Sequence, residues 1–119
     1  MTIITNIVII LIALLHIFFL ILEMFLWDKP AGLKAFRQTR EQAAATKILA
    51  ANQGLYNGFL SAGLLYGVLQ TSSGFEFKIF FLLCVIIAGV FGAFTASRKI
   101  LYFQALPGLL GLVLVLISR

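Results

Sequence analysis

Four long apolar runs divide this chain, and each is closed by a short polar segment with its own helix-breaking or helix-starting signal. The first run, about residues 3–27, is long enough to cross ~30 Å of hydrocarbon at ~1.5 Å per residue. It has no basic leader, it is too long for a signal sequence, and no A-x-A-like site follows it, so it is not a cleaved signal peptide. "DKPAG" ends it with Pro30 and Gly32. A polar link follows, from which Leu33 and Phe36 can dip into a membrane interface. "TREQ" then offers a capping box, with Thr39 as N-cap and Gln42 at the third helical position.

That box starts a second helix over about 40–69, longer than one membrane crossing. Its first two turns therefore stand in the cytosol, with Lys47 snorkelling at the boundary. "SSGFE" repeats the device with Ser73 and Glu76, and its short turn makes the second and third helices antiparallel neighbours. The third helix covers about 74–96. After the tight turn "SRK" the fourth covers about 100–118, kinked by Pro107, which frees the carbonyl of Phe103. No strand pattern or repeat competes. The pattern predicts an all-α polytopic membrane protein: one domain, residues 1–119, with four transmembrane helices in a compact antiparallel bundle.

Composition agrees with lipid as the solvent. The chain is 62% hydrophobic and only 11% charged, whereas a soluble domain is nearer half apolar and a quarter charged. So short a chain cannot hide that excess in a core. The net charge of +5 does not point to nucleic acid, because no basic stripe interleaves with exposed aromatics. Lys29, Lys34, Arg37, Arg40, Lys47, Arg98 and Lys99 fall on one side of the predicted membrane, and only Lys78 and Arg119 on the other. The positive-inside rule puts the first group in the cytoplasm and both termini outside it, in a bacterial inner membrane crossed several times. The lone cysteine, Cys84, has no disulfide partner and no metal-ligand spacing, and no metal or cofactor is called for.

The candidate chemistry lies inside the apolar runs. In "HIFFLILEMFLW", His16 and Glu23 fall within about 20° of each other on a helix wheel, and Leu20 and Trp27 share that face. With Trp27 at the cytoplasmic interface, Glu23 lies about 6 Å inside it and His16 about 16 Å. Ionisable groups at such depths cost a few kcal/mol unless they face protein or water, so the stripe should turn inward. The second helix offers Gln53, Asn57 and Ser61 at four-residue spacing, with Asn52 about 100° away from Gln53. Counted from Lys47, Asn52 and Gln53 match the depth of Glu23, and Asn57 matches that of His16. Gln104 enters from the fourth helix, and Arg98 and Lys99 stand at the mouth. The glycine rows are packing surfaces, with Gly54, Gly58 and Ala62 expected to take Gly89 and Ala93 of the third helix, and Gly63 and Gly67 forming a second GxxxG. Such rows do not separate an internal contact from one between copies of the chain.

The stretches "LHIFFLILEMFLW", "ATKILAANQGLYNGFLSAGL" and "SRKILYFQALPGLLGL" resemble small bacterial membrane proteins grouped as domain-of-unknown-function family 1304. The resemblance covers nearly the whole chain and implies a four-helix integral membrane protein. It carries over no catalytic residues. Three functions stay open. In the first, a small molecule is bound or transported in a polar pocket between helices, with Glu23 and His16 as a protonation-sensitive pair. Desolvation disfavours a carboxylate anion, so such a group can trade a proton for a cationic ligand. The second is an intramembrane enzyme on a lipid or isoprenoid-like substrate, using the same pair as acid and base. The third is a structural or partner-binding role through the glycine faces.

Overall fold

Where each apolar run begins and ends is decided by local backbone chemistry. The computed structural model describes all 119 residues, Met1–Arg119. It is entirely helical: α1 (Thr2–Met24), α2 (Pro30–Ala35), α3 (Arg40–Leu69), α4 (Gly74–Thr95), a π-helical turn (Leu101–Ala105) and α5 (Leu106–Ile117). Two of these helices, α1 and α4, are long and apolar enough to cross a membrane, and Leu101–Ile117 is a shorter apolar segment.

α3 starts at the capping box. Gln42 donates its backbone N–H to Thr39 Oγ1 at 3.1 Å, and Thr39 donates its own to Gln42 Oε1 at 2.9 Å. Two of the amide groups left over at the helix start are thereby satisfied. At α4 the same sequence pattern does not cap. Ser73 sits at φ −105°, ψ 7°, and makes no side-chain cap bond. An N-cap needs an extended backbone to aim its oxygen at the next turn. Here the turn is set instead by Gly74, where an added Cβ would lie 2.6 Å from the Gly67 carbonyl oxygen.

α1 stops at Met24, earlier than the expected residue 27, and leaves through a widened turn in which Leu26 donates to the Ile21 carbonyl. The link holds a helix of its own. α2 begins with Pro30, whose fixed φ suits a first helical turn. It folds back so closely that Gly32 has no room for a side chain against the Leu26 and Trp27 carbonyls. It ends on Arg37 at φ 50°, with Gln38 donating to the Leu33 carbonyl at 3.1 Å and Arg37 to that of Lys34 at 3.4 Å. This is a Schellman closure with arginine in the usual place of glycine.

The fourth run is not one kinked helix. Leu106 donates to the Leu101 carbonyl, five residues back, and Pro107 follows directly. The wider turn gives the proline ring space that an α-helical turn would deny it.

The chain falls into two compact units, Met1–Ala13 with Ala62–Arg119, and Leu14–Ser61. In the first, α4 and α5 run antiparallel with small residues seated under larger ones. A Cβ on Gly89 would lie 2.6 Å from the Ala105 nitrogen, one on Gly108 would meet Val85 and Ile86, and one on Gly111 would meet Leu82 and Ile12. Ile9, Ile12, Leu64, Leu82, Val85 and Val115 fill the core of this unit. Thr5 is buried too, donating to Ser118 Oγ at 3.2 Å. Within the same unit α3 meets α4 through Gly63 against the Phe81 ring and Gly67 against Phe77 and Lys78.

In the second unit α1 packs on α3. A Cβ on Gly54 would fall 2.5 Å from Met24 Cγ and 3.2 Å from both Glu23 Cβ and the Leu20 carbonyl, and one on Gly58 would fall 2.9 Å from Leu20. The expected pairing of Gly54, Gly58 and Ala62 with Gly89 and Ala93 is therefore corrected. Gly54 and Gly58 serve α1, Gly89 serves Ala105, Ala62 is exposed and Ala93 half-buried. The reason is angular. Gly54 and Gly63 are nine residues apart, about 180° round the helix wheel, so the two GxxxG rows serve different neighbours.

Candidate functional site

The buried positions of α3 from Ala50 through Gly54 and Asn57 to Ser61 follow the alternating three- and four-residue step of a helix seam. That step selects Asn57 and Ser61 and leaves Gln53 and Asn52 on the exposed surface. Asn52 turns its amide back to the Ile48 carbonyl of its own helix, at 3.2 Å.

Asn57 is 7% exposed, and its Nδ2 donates to Glu23 Oε1 at 2.5 Å. This joins a carboxylate on α1 to an amide on α3, each embedded in apolar sequence. The amide is a neutral partner for the carboxylate. A salt bridge joins Lys47 to Asp28, five residues further on, and not to Glu23. His16 is fully buried two helical turns further along the same face of α1, edge-on to the Phe19 ring with centroids 5.7 Å apart.

The expected depth matching placed Glu23 opposite Asn52 and Gln53, and His16 opposite Asn57. The observed pairing is about one turn different. The count treated residues 24 to 27 as helix at ~1.5 Å each. α1 ends at Met24 and leaves through a turn, so that helical rise does not carry through to Trp27.

Trp27 has a different task. Its indole Nε1 donates to Thr46 Oγ1 at 3.1 Å, and Thr46 in turn donates to the Gln42 carbonyl at 2.9 Å. Its ring lies 4.7 Å from that of Phe36. Beside it Lys47 Nζ bonds Asp28 Oδ2 at 3.0 Å, and that hydrogen bond holds the Asp28 carboxyl below the usual range. Trp27 thus closes the end of the α1–α3 pair, and Thr46, which fixes it, was not among the predicted residues. A small hydroxyl in the first turns of a helix gives no sequence signal of its own.

Gln104, Arg98 and Lys99 belong to the other unit. Gln104 is half-buried on the π-helical turn, and both cations are exposed beside the α4–π turn connection. No group of three or more His, Cys, Asp or Glu side chains is arranged to hold a metal.

The family described as "Protein of unknown function (DUF1304)" matches residues 10–116. The chain is also similar to "Uncharacterized protein YpaA" of Lactococcus lactis subsp. lactis (strain IL1403). The two are 30% identical over 115 residues, covering 95% of this chain and 97% of that protein. No solved structure matches. A match of this extent, running from the middle of α1 almost to the end of α5, means that the chain belongs to the DUF1304 family.

Proposed function

We propose that this protein is a multi-pass membrane protein that binds a small cationic molecule at the Glu23–Asn57 pair. In this reading α1, α3, α4 and the segment from Leu101 through α5 are all membrane-embedded. The support is what the helices leave uncovered. α1 exposes Ile3, Ile7, Leu11, Leu14, Phe18 and Ile21, a stripe at steps of three and four along its whole length. α4 exposes Phe80, Leu83, Ile87, Phe91 and Phe94, the last at 87%. α5 exposes Leu106, Leu109, Leu110, Val113 and Leu116. Apolar stripes of this length are unfavourable in water and suit acyl chains. The lysine and arginine bias then sets the α1–α3 link in the cytoplasm and both termini outside.

The observation that carries the binding site is the Glu23–Asn57 bond, which holds a half-buried carboxylate through a neutral donor. An ionisable group kept at this position is costly unless its charge is used. One oxygen is occupied by Asn57, and the carboxylate retains the capacity to receive a cation.

Tetraphenylphosphonium, a membrane-soluble cation, tests this. A proton and the probe compete for one carboxylate, so binding to the purified protein should weaken as the pH falls. Glu23→Gln, whose amide oxygen can still accept from Asn57, should abolish binding while the protein keeps its helicity and monodispersity. Unaltered binding in that variant would leave Glu23 a structural hydrogen-bond acceptor and overturn the reading.

A further inference from the structure

We propose that the link between α1 and α3 is a docking surface for the headgroup of an anionic phospholipid, with phosphatidylglycerol as the test case. The inference rests on the membrane reading above and is independent of the Glu23 site. Lys29, Lys34, Arg37 and Arg40 are all exposed, and none is ion-paired. The salt bridge from Lys47 engages Asp28, the nearest acid, so Glu41 is the only remaining carboxylate in the segment.

One of these cations is held at a conformational cost. Arg37 occupies the left-handed position of the Schellman closure, φ 50°, where glycine sits without strain. Turn formation alone would be better served by glycine. What arginine adds is an exposed guanidinium on the residue next to Phe36. That ring is 39% exposed and rests on Trp27, which is itself anchored by its bond to Thr46.

The surface therefore joins immobilised aromatic faces to a cluster of free cations. Aromatic rings of this kind settle at the level of the lipid headgroups, and the guanidinium matches phosphate oxygens in pairs. A free phosphate ion would use only the cations. An anionic phospholipid uses both halves, the phosphate against Arg37 and Lys34 and the glycerol and upper acyl chain against Phe36 and Trp27.

Trp27 is the chain's single tryptophan, so its fluorescence reads this surface directly. The full protein is reconstituted into phosphatidylcholine vesicles containing either brominated phosphatidylglycerol or brominated phosphatidylcholine at matched fractions. The phosphatidylglycerol should quench Trp27 preferentially. Arg37→Gly should reduce the preference about fivefold and Lys34→Ala with Arg37→Gly roughly twentyfold, at about the expected contribution of each surface cation. Arg37→Lys should keep most of it.

Arg37→Gly also separates function from folding, because it relieves the strained turn. Its melting temperature should hold or rise while lipid preference falls. Equal quenching by the two lipids, or an Arg37→Gly protein with wild-type preference, would overturn the proposal. So would relief of quenching by inorganic phosphate at constant ionic strength, which would mark a site for free anions. Failure of the membrane reading has a separate signature: the protein would then be released from the vesicles by alkaline carbonate.

Discussion

Glu23 and Asp28, five residues apart, meet opposite electrostatic fates. Asp28 receives a hydrogen bond from the Lys47 ammonium, which lowers its pKa in the folded protein. A carboxyl whose folded pKa is depressed contributes stability in full above its unfolded value of about 3.9 and loses it as the pH falls through the folded value. Wild type and Asp28→Asn should therefore differ in melting temperature at neutral pH and converge in acid. A gap that stays constant into acid would show that the bridge contributes nothing. Glu23, by contrast, has a neutral amide where Asp28 has an ammonium, and that contrast makes it the candidate for receiving a charge from outside the chain. Much of this was legible in the residues. Seven-residue spacing alone puts His16 and Glu23 on one face, and four-residue spacing puts Asn57 and Ser61 on another. The partner of Glu23 was misjudged by one turn because residues 24 to 27 were counted as helix. Gln53 belonged to the same four-residue row, but the seam that glycine packing creates passes it by.

Single-element behaviour depends on whether the chemistry is local. The Thr39–Gln42 box is complete within four residues, so the sequence alone contains everything its geometry needs. "SGFE" carries the same pattern, but the close approach of Gly74 to the Gly67 carbonyl turns Ser73 out of the capping conformation, and no local reading contains that contact. The two sites should respond differently to the same change. Thr39→Ala should destabilise the protein by about 1 kcal/mol, within the usual range for a lost N-cap. Ser73→Ala, which removes no cap bond, should be close to neutral. Paired thermal melts in one detergent check this, and equal losses would contradict the difference. Helix packing was less legible for a similar reason. Glycine spacing shows that α3 has close-packing faces, but only the assembled structure assigns Gly54 and Gly58 to α1 and Gly63 and Gly67 to α4.

For the molecule as a whole, composition and the rhythm of polar breaks were enough for an all-helical chain of apolar segments. They were not enough for its subdivisions. α2 is too short to announce itself by periodicity, and the π-helical turn has the same apolar letters as the helix it interrupts. In the proposed topology, position 36 is cytoplasmic and position 118 is external. A cysteine placed at each, in a Cys84→Ser background, gives the test. A membrane-impermeant thiol reagent applied to intact cells should label position 118 and spare position 36. The reverse pattern would invert the topology. Labelling of both would show that the segments between them do not cross as proposed.

The turn at Leu101–Ala105 also bears on how this family's sequences can differ in length. A single π-helical turn lets a helix carry one surplus residue while the helix beyond it keeps its orientation. A deletion of one residue there would let the turn close as ordinary α-helix, with Gly108 still beneath Val85 and Gly111 beneath Leu82. The same deletion inside α5 would swing every later side chain by about 100° and bring bulk where those glycines sit. Gaps among relatives should therefore gather between positions 101 and 105. A relative shortened there should also lack the proline at 107, since a regular helix would press its ring against the carbonyl four residues back.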